Sequence, residues 1–129
     1  MAVYLFDEAR CCYIYGQYLA TIAMGMAYIE QSIAAIFHTR CKDKFAKQSA
    51  ETLFKEALNE GLISQFDYEN LERIRKTRNP AIHFKKPLHP DSIDVRSVKQ
   101  NRHPALILES DAKFVMGSVF KLLGQFPLV

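Results

Sequence analysis

The chain is 129 residues long, one domain's worth, and 49% of it is hydrophobic, enough to close one core. Charged residues make up 24% and aromatics 12%, which excludes a disordered, collagen-like or low-complexity chain. Seventeen Lys and Arg against 14 Asp and Glu leave a formal charge of +3, so any case for a polyanionic partner must rest on where the charges sit rather than on their sum.

Residues 3–12 make either a short first helix or the beginning of a longer one, with Gly16 as a bend. No charged side chain occurs from Cys11 to Ile29, nearly the length of a membrane span. Gly16, Gln17, Thr21 and four tyrosines interrupt that stretch and Glu30 follows it, so a buried soluble helix is the expectation. Asp7 and Glu8 stand where a signal peptide would be basic, and three cysteines without paired spacing do not suit a disulfide scaffold. A soluble chain in a reducing cytoplasm, with no membrane association, is expected. From Leu19 onward, Ile22, Met26, Ile29, Ile33 and Ile36 follow at alternating steps of three and four, the buried seam of a long helix. Beside it Thr21, Gly25, Tyr28, Ser32 and Ala35 form a mostly small stripe, suited to close approach by a neighbouring helix or by a second copy.

A break is expected over residues 39–43. Leu53, Phe54, Ala57 and Leu58 then predict an amphipathic helix ended by a left-handed Gly61, and Leu62 and Ile63 return the chain to the core. Ser64 and Asp67 resemble a capping box opening a helix with Phe66, Leu71 and Ile74 inward. Pro80 predicts that this helix stops near Arg78, turns, and resumes as a helical turn near His83. A long loop with one turn of helix is expected over residues 86–104. Ser110 is read as the N-cap of a last helix burying Val115, Val119, Leu122, Leu123 and Phe126. With no alternating strand pattern, the fold expected is a single all-α domain over residues 1–129, a bundle of four to five helices.

Chemistry concentrates at residues 73–86, where Arg73, Arg75, Lys76, Arg78, Lys85 and Lys86 accompany His83. The bland reading is an exposed basic helix end complementing the helix dipole. The proline break favours another, in which a turn brings Arg78 and His83 together. Arginine holds a phosphate at two points, and histidine both accepts and gives a proton near neutral pH.

The run Arg78-Asn79-Pro80-Ala81-Ile82-His83 resembles the motif of HEPN (higher eukaryotes and prokaryotes nucleotide-binding) domains. Ala27-Tyr28-Ile29-Glu30 on the long early helix matches that family's layout, and the likeness covers most of residues 12–123. It implies a HEPN-like bundle and a metal-independent endoribonuclease without a cofactor, the alternative being a non-catalytic module that dimerises or binds a nucleotide or partner. Arg78 would stabilise phosphoryl charge while His83 serves as base or acid in attack by the ribose 2′-hydroxyl. Asn79 would fix geometry or be an ordinary helix end. Lys85 stands where some relatives have a tyrosine that is nucleotide-modified to silence a toxin, a departure that puts such silencing in doubt. Arg75, Lys76, Lys85 and Lys86 would meet the RNA. Glu30 would hold Arg78 or another arginine, or else lie exposed at the bundle's edge.

The resemblance further implies a homodimer with a composite active site, because in-line cleavage wants an acid and a base and the motif has one histidine. The small stripe and the basic turn are the contact surfaces considered for it. A toxin or phage-defence role and a cognate antitoxin rest on the resemblance alone. Cys11, Cys12, His38 and Cys41 do not complete a four-ligand set, so no metal is expected. His89 and His103, beside prolines, are expected in solvent, and Tyr13, Tyr15, Tyr18 and Tyr28 in packing rather than base stacking.

Overall fold

The computed structural model describes residues 1–82 and 86–125, the side chains at 81 and 82 excepted. Among them the chain is all-helical: α1 (Ala2–Ile14), α2 (Tyr18–Thr39), α3 (Asp43–Ala46), α4 (Ala50–Asn59), α5 (Gln65–Ile82), α6 (Ile93–Gln100) and α7 (Pro104–Gln125). The count exceeds the four to five expected. Gly16, at φ +74°, separates α1 from α2, α3 follows at the end of the segment read as a break, and α6 lies within the segment read as a loop.

α1 and α2 form an antiparallel hairpin, because Phe6 meets Tyr28 with ring centroids 5.8 Å apart while Tyr13 meets Tyr18 at 6.2 Å. Ile22, Met26, Ile29 and Ile33 fill the core as their spacing requires, but Leu19 at one end of the seam is exposed and Ile36 at the other is only half-buried. α2 is long and apolar enough to cross a membrane by length and composition, and here Thr21, Ile22, Gly25, Met26, Tyr28, Ile29 and Ile33 of it are buried. Gly25 on that stripe is covered by α7. A Cβ added there would lie 2.4 Å from Val115 Cγ1 and 3.4 Å from Val119 Cγ2, so the two helices approach as only glycine permits. Of the stripe residues considered for contact with a second copy, Gly25 is therefore used within the chain. Ser32 is half-buried and Ala35 exposed.

Local signals set most of the remaining boundaries. Ser49 caps α4, and Gly61 takes φ +73° just past its end. Ser64 Oγ accepts from the Asp67 amide at 3.1 Å to open α5. Asp67 also bonds Lys121 of α7 at 2.5 Å. Burial works to raise the Asp67 carboxyl, but the Lys121 ammonium with Ser64 and Gln125 outweighs it and holds the group below its ordinary value. Phe66, expected inside, is 63% exposed, and its ring lies under the Lys121 ammonium instead.

Three boundaries differ from the sequence reading. α5 does not stop near Arg78: it runs through Pro80 to Ile82. Proline's own φ is helical, so Pro80 can stand in the helix at the loss of one amide hydrogen bond. α7 begins at Pro104, not at Ser110, which stands exposed on its side. Proline suits a first helical position because its amide would be unused there, and Ile107 prolongs the buried face by two turns. α6 is a full helix rather than one turn: Ser92 Oγ accepts from the Val95 amide and Asn101 closes it at φ +49°. Arg96 of α6 grips the buried Asp111 of α7 through two bonds of 2.7 Å each. On α7 Val115, Val119 and Leu122 are buried and Leu123 half-buried, while Phe126 lies outside the described residues.

The tightness at Gly25 is testable. Gly25→Ala should lower the unfolding free energy by about 1–3 kcal/mol through overpacking, despite alanine's better helix propensity. Adding Val115→Ala should make the double variant lose less than the sum of the single losses in urea titrations. Strictly additive losses would contradict the contact.

Candidate functional site

The α5 helix turns about 100° per residue, so cations adjacent in sequence leave it in different directions. Arg75 points to α4 and is held: it bonds Glu72 at 2.9 Å and lies 3.7 Å from Glu51. The Glu72 carboxylate, outweighing burial, pushes its guanidinium pKa up still further. Arg73 turns toward α7, its guanidinium 3.9 Å from the Phe114 ring centroid. Lys76 is exposed and lines a cleft of about 710 Å³ between α5 and α6, which also takes in Glu69, Glu72, Asp91 and Arg96. The basic run of the sequence is thus spread around the helix rather than gathered on one surface.

Arg78 is the member that faces α2. Its Nη1 lies 3.2 Å from Glu30 Oε1, with both side chains largely covered. The atoms form an ion pair but not an aligned hydrogen bond, and among the described residues Glu30 Oε1 and Arg78 Nε are buried without a hydrogen-bond partner. Leaving such groups unbonded costs about 1–3 kcal/mol each, and both atoms are closed to solvent. Burial raises the Glu30 carboxyl above its ordinary value, and the Arg78 charge only partly opposes this. The Tyr28 hydroxyl, two residues before Glu30, is likewise buried, and its pKa is pushed up by that burial.

Asn79 is half-buried in the last turn of α5, and Lys86 is exposed. His83 and Lys85 lie outside the described residues. The turn expected between Arg78 and His83 is not at Asn79–Pro80, since both are helical. Five positions along an unbroken helix correspond to a rotation of about 140°, so helical continuation alone would not make the two side chains converge. Of the site residues read from sequence, the structure brings together Arg78 and Glu30. It does not bring Arg75 or Lys76 to them. Sequence reasoning missed the Arg96–Asp111 pair and the Arg73–Phe114 stack, whose partners lie far apart in the chain.

Elsewhere, His38 Nδ1 is 2.6 Å from Asp43 Oδ1 on the surface beyond α2. Among the described residues no three His, Cys, Asp or Glu side chains come together as a metal site would require. His103 is exposed and His89 half-buried; each accepts through Nδ1 from the amide two residues on. Tyr13, Tyr18 and Tyr28 pack as expected, but Tyr15 is 80% exposed, carried outward at the end of α1. No protein-family model, curated protein or solved structure matches the chain.

The electrostatics of Glu30 has a sign that can be measured. A carboxyl raised in the folded state contributes stability at low pH that is lost as pH rises through its folded value, above the ordinary 4.5. Glu30→Gln removes that loss. Its stability relative to the native chain should therefore increase between pH 4 and pH 7 in paired denaturant titrations. A relative stability that falls over the same range would mean that attraction to Arg78 outweighs burial.

Proposed function

We propose that the chain is a HEPN-like helical bundle acting as a metal-independent endoribonuclease. The observation that carries this reading is Arg78 held by Glu30 across the α2–α5 contact, largely covered and with Nε unbonded among the described residues. A guanidinium fixed in this way is ordered before a phosphoryl group arrives, and its exposed part can donate to one. His83 follows α5 directly in sequence and supplies the proton transfer. The ribose 2′-hydroxyl loses its proton and attacks the adjacent phosphorus, the bond to the 5′-oxygen breaks, and that oxygen takes a proton. Arg78 stabilises the charge that gathers on the phosphoryl oxygens. Asn79 fixes the last turn of α5, and Lys76, Lys85 and Lys86 supply cations near the motif. Arg75 has a smaller part in this scheme, since two carboxylates already engage it.

The active unit in this reading is a cytoplasmic homodimer without a cofactor, in which each copy contributes one His83 to a shared cleft. The basic end of α5, with Ser32 and Ala35, is the surface left for that contact once α7 covers Gly25. A toxin or phage-defence role with a cognate antitoxin follows from the same resemblance. A non-catalytic module that dimerises or binds a nucleotide or partner is favoured by one feature, the neutralisation of Arg78 by Glu30.

Two experiments bear on the reading. Incubation of RNA with the protein in EDTA should leave 2′,3′-cyclic phosphate ends, visible by mass analysis, and Arg78→Ala or His83→Ala should abolish cleavage with helix content and melting almost unchanged. Metal-dependent cleavage giving 5′-phosphates, or cleavage that survives both substitutions, would overturn it. For the composite site, titrating His83→Ala chains into native protein should reduce activity beyond simple dilution. Activity proportional to the native fraction, or cleavage by a monomer, would leave each copy acting alone.

A further inference from the structure

On the side of α5 away from Glu30, a groove of about 440 Å³ opens against α7. Three cations stand around it, Arg73 from α5 and Lys113 and Lys121 from α7. The amide of Asn70 and the hydroxyls of Ser110 and Ser118 add hydrogen-bonding groups between them. Among the described residues no carboxylate lines this groove, whereas the cleft between α5 and α6 contains Glu69, Glu72 and Asp91. Asp67 does reach Lys121, so that ammonium is compensated. Among the described residues Arg73 and Lys113 form no ion pair, and the excess charge is theirs.

The shape suits an extended anion. Arg73 is exposed yet ordered by its stack on Phe114, which leaves the outer face of the guanidinium available to a flat partner. Gly117, between Lys113 and Lys121, adds no side chain, and a Cβ there would meet nothing within 4 Å, so a ligand can descend to the helix backbone. Lys113 and Lys121 are separated by about 12 Å along α7, and with Lys121 tied back to Asp67 the two ammonium groups do not converge on one small anion. A chain of regularly spaced phosphates can meet both, while its bases stack on a guanidinium plane.

We infer that the α5–α7 groove takes the phosphodiester backbone of single-stranded RNA, as a contact surface for substrate distinct from Arg78. The identity of the polymer rests on the ribonuclease reading; the charge and shape of the groove do not. The groove also replaces, as the principal track, the dispersed cations at Arg75 and Lys76.

The test is fluorescence anisotropy with a labelled 2′-O-methyl RNA oligonucleotide, which lacks the hydroxyl nucleophile and so reports binding by the intact native protein. Arg73→Glu with Lys113→Glu should raise Kd at least tenfold. It should also flatten the salt dependence by about 1.4 in slope, at about 0.7 per phosphate contact on a single strand. Lys47→Glu, which makes the charge change of Lys113→Glu alone on the exposed turn after α3, should stay within about twofold, the scale of a single distant charge screened by salt. Lys113→Glu alone, on an exposed site of α7, gives the same direction if the double variant folds poorly. Groove variants that bind as the Lys47 variant does, native protein that fails to bind, or equal affinity for polyglutamate would each overturn the inference. Binding lost in the groove variants while native protein cuts no RNA would support the groove and refute the ribonuclease.

Discussion

The close approach of α7 to α2 at Gly25 is the constraint on which the rest of the molecule depends. With no side chain at that position, Val115 and Val119 lie directly on the α2 backbone, and the buried residues of both helices merge into one core. α5 then rests on both members of the pair. Asp67 fastens its first turn to Lys121 of α7, Arg73 stacks on Phe114 of the same helix, and Arg78 in its last turns reaches Glu30 of α2. A rigid α2–α7 platform therefore fixes where every cation of α5 can point.

That arrangement divides the charges of α5 among different tasks. Arg75 is committed to carboxylates on its own helix and on α4, so it serves stability more than recognition. Arg78 is paired with a carboxyl whose burial weakens its hold on a charge, which leaves the guanidinium ordered but not saturated. Arg73 is ordered by an aromatic ring, which leaves its full charge for a ligand. In the proposed ribonuclease these last two residues have different duties, Arg78 with the reacting phosphoryl group and Arg73 with the strand that carries it.

The parts of the fold legible in the sequence are those set by neighbours a few positions apart. The seam of α2, the cap at Ser64, and the left-handed Gly61 each follow from one turn of chain. Pro80 and Ser110 misled because each was weighed by residue type, while their effect depends on position within a helix whose ends are set by distant packing. α6 was legible only as one turn of helix in a loop, and its place depends on Arg96 meeting Asp111, fifteen residues on. The pairing of Glu30 with Arg78 was among the readings weighed, because a carboxylate in an apolar stretch demands a cation. The groove at Arg73, Lys113 and Lys121 was not legible, since it joins residues from two helices with no shared local pattern.

In the proposed reaction the substrate supplies its own nucleophile while Arg78 and His83 stabilise charge and move protons. The most direct measurement compares the rate at which native protein cuts an oligoribonucleotide with the rate for the same sequence in 2′-deoxy form. The account predicts cleavage of the RNA and none of the deoxy strand, with the deoxy strand still bound. Comparable cleavage of both would contradict internal attack and with it the role given to Arg78 and His83.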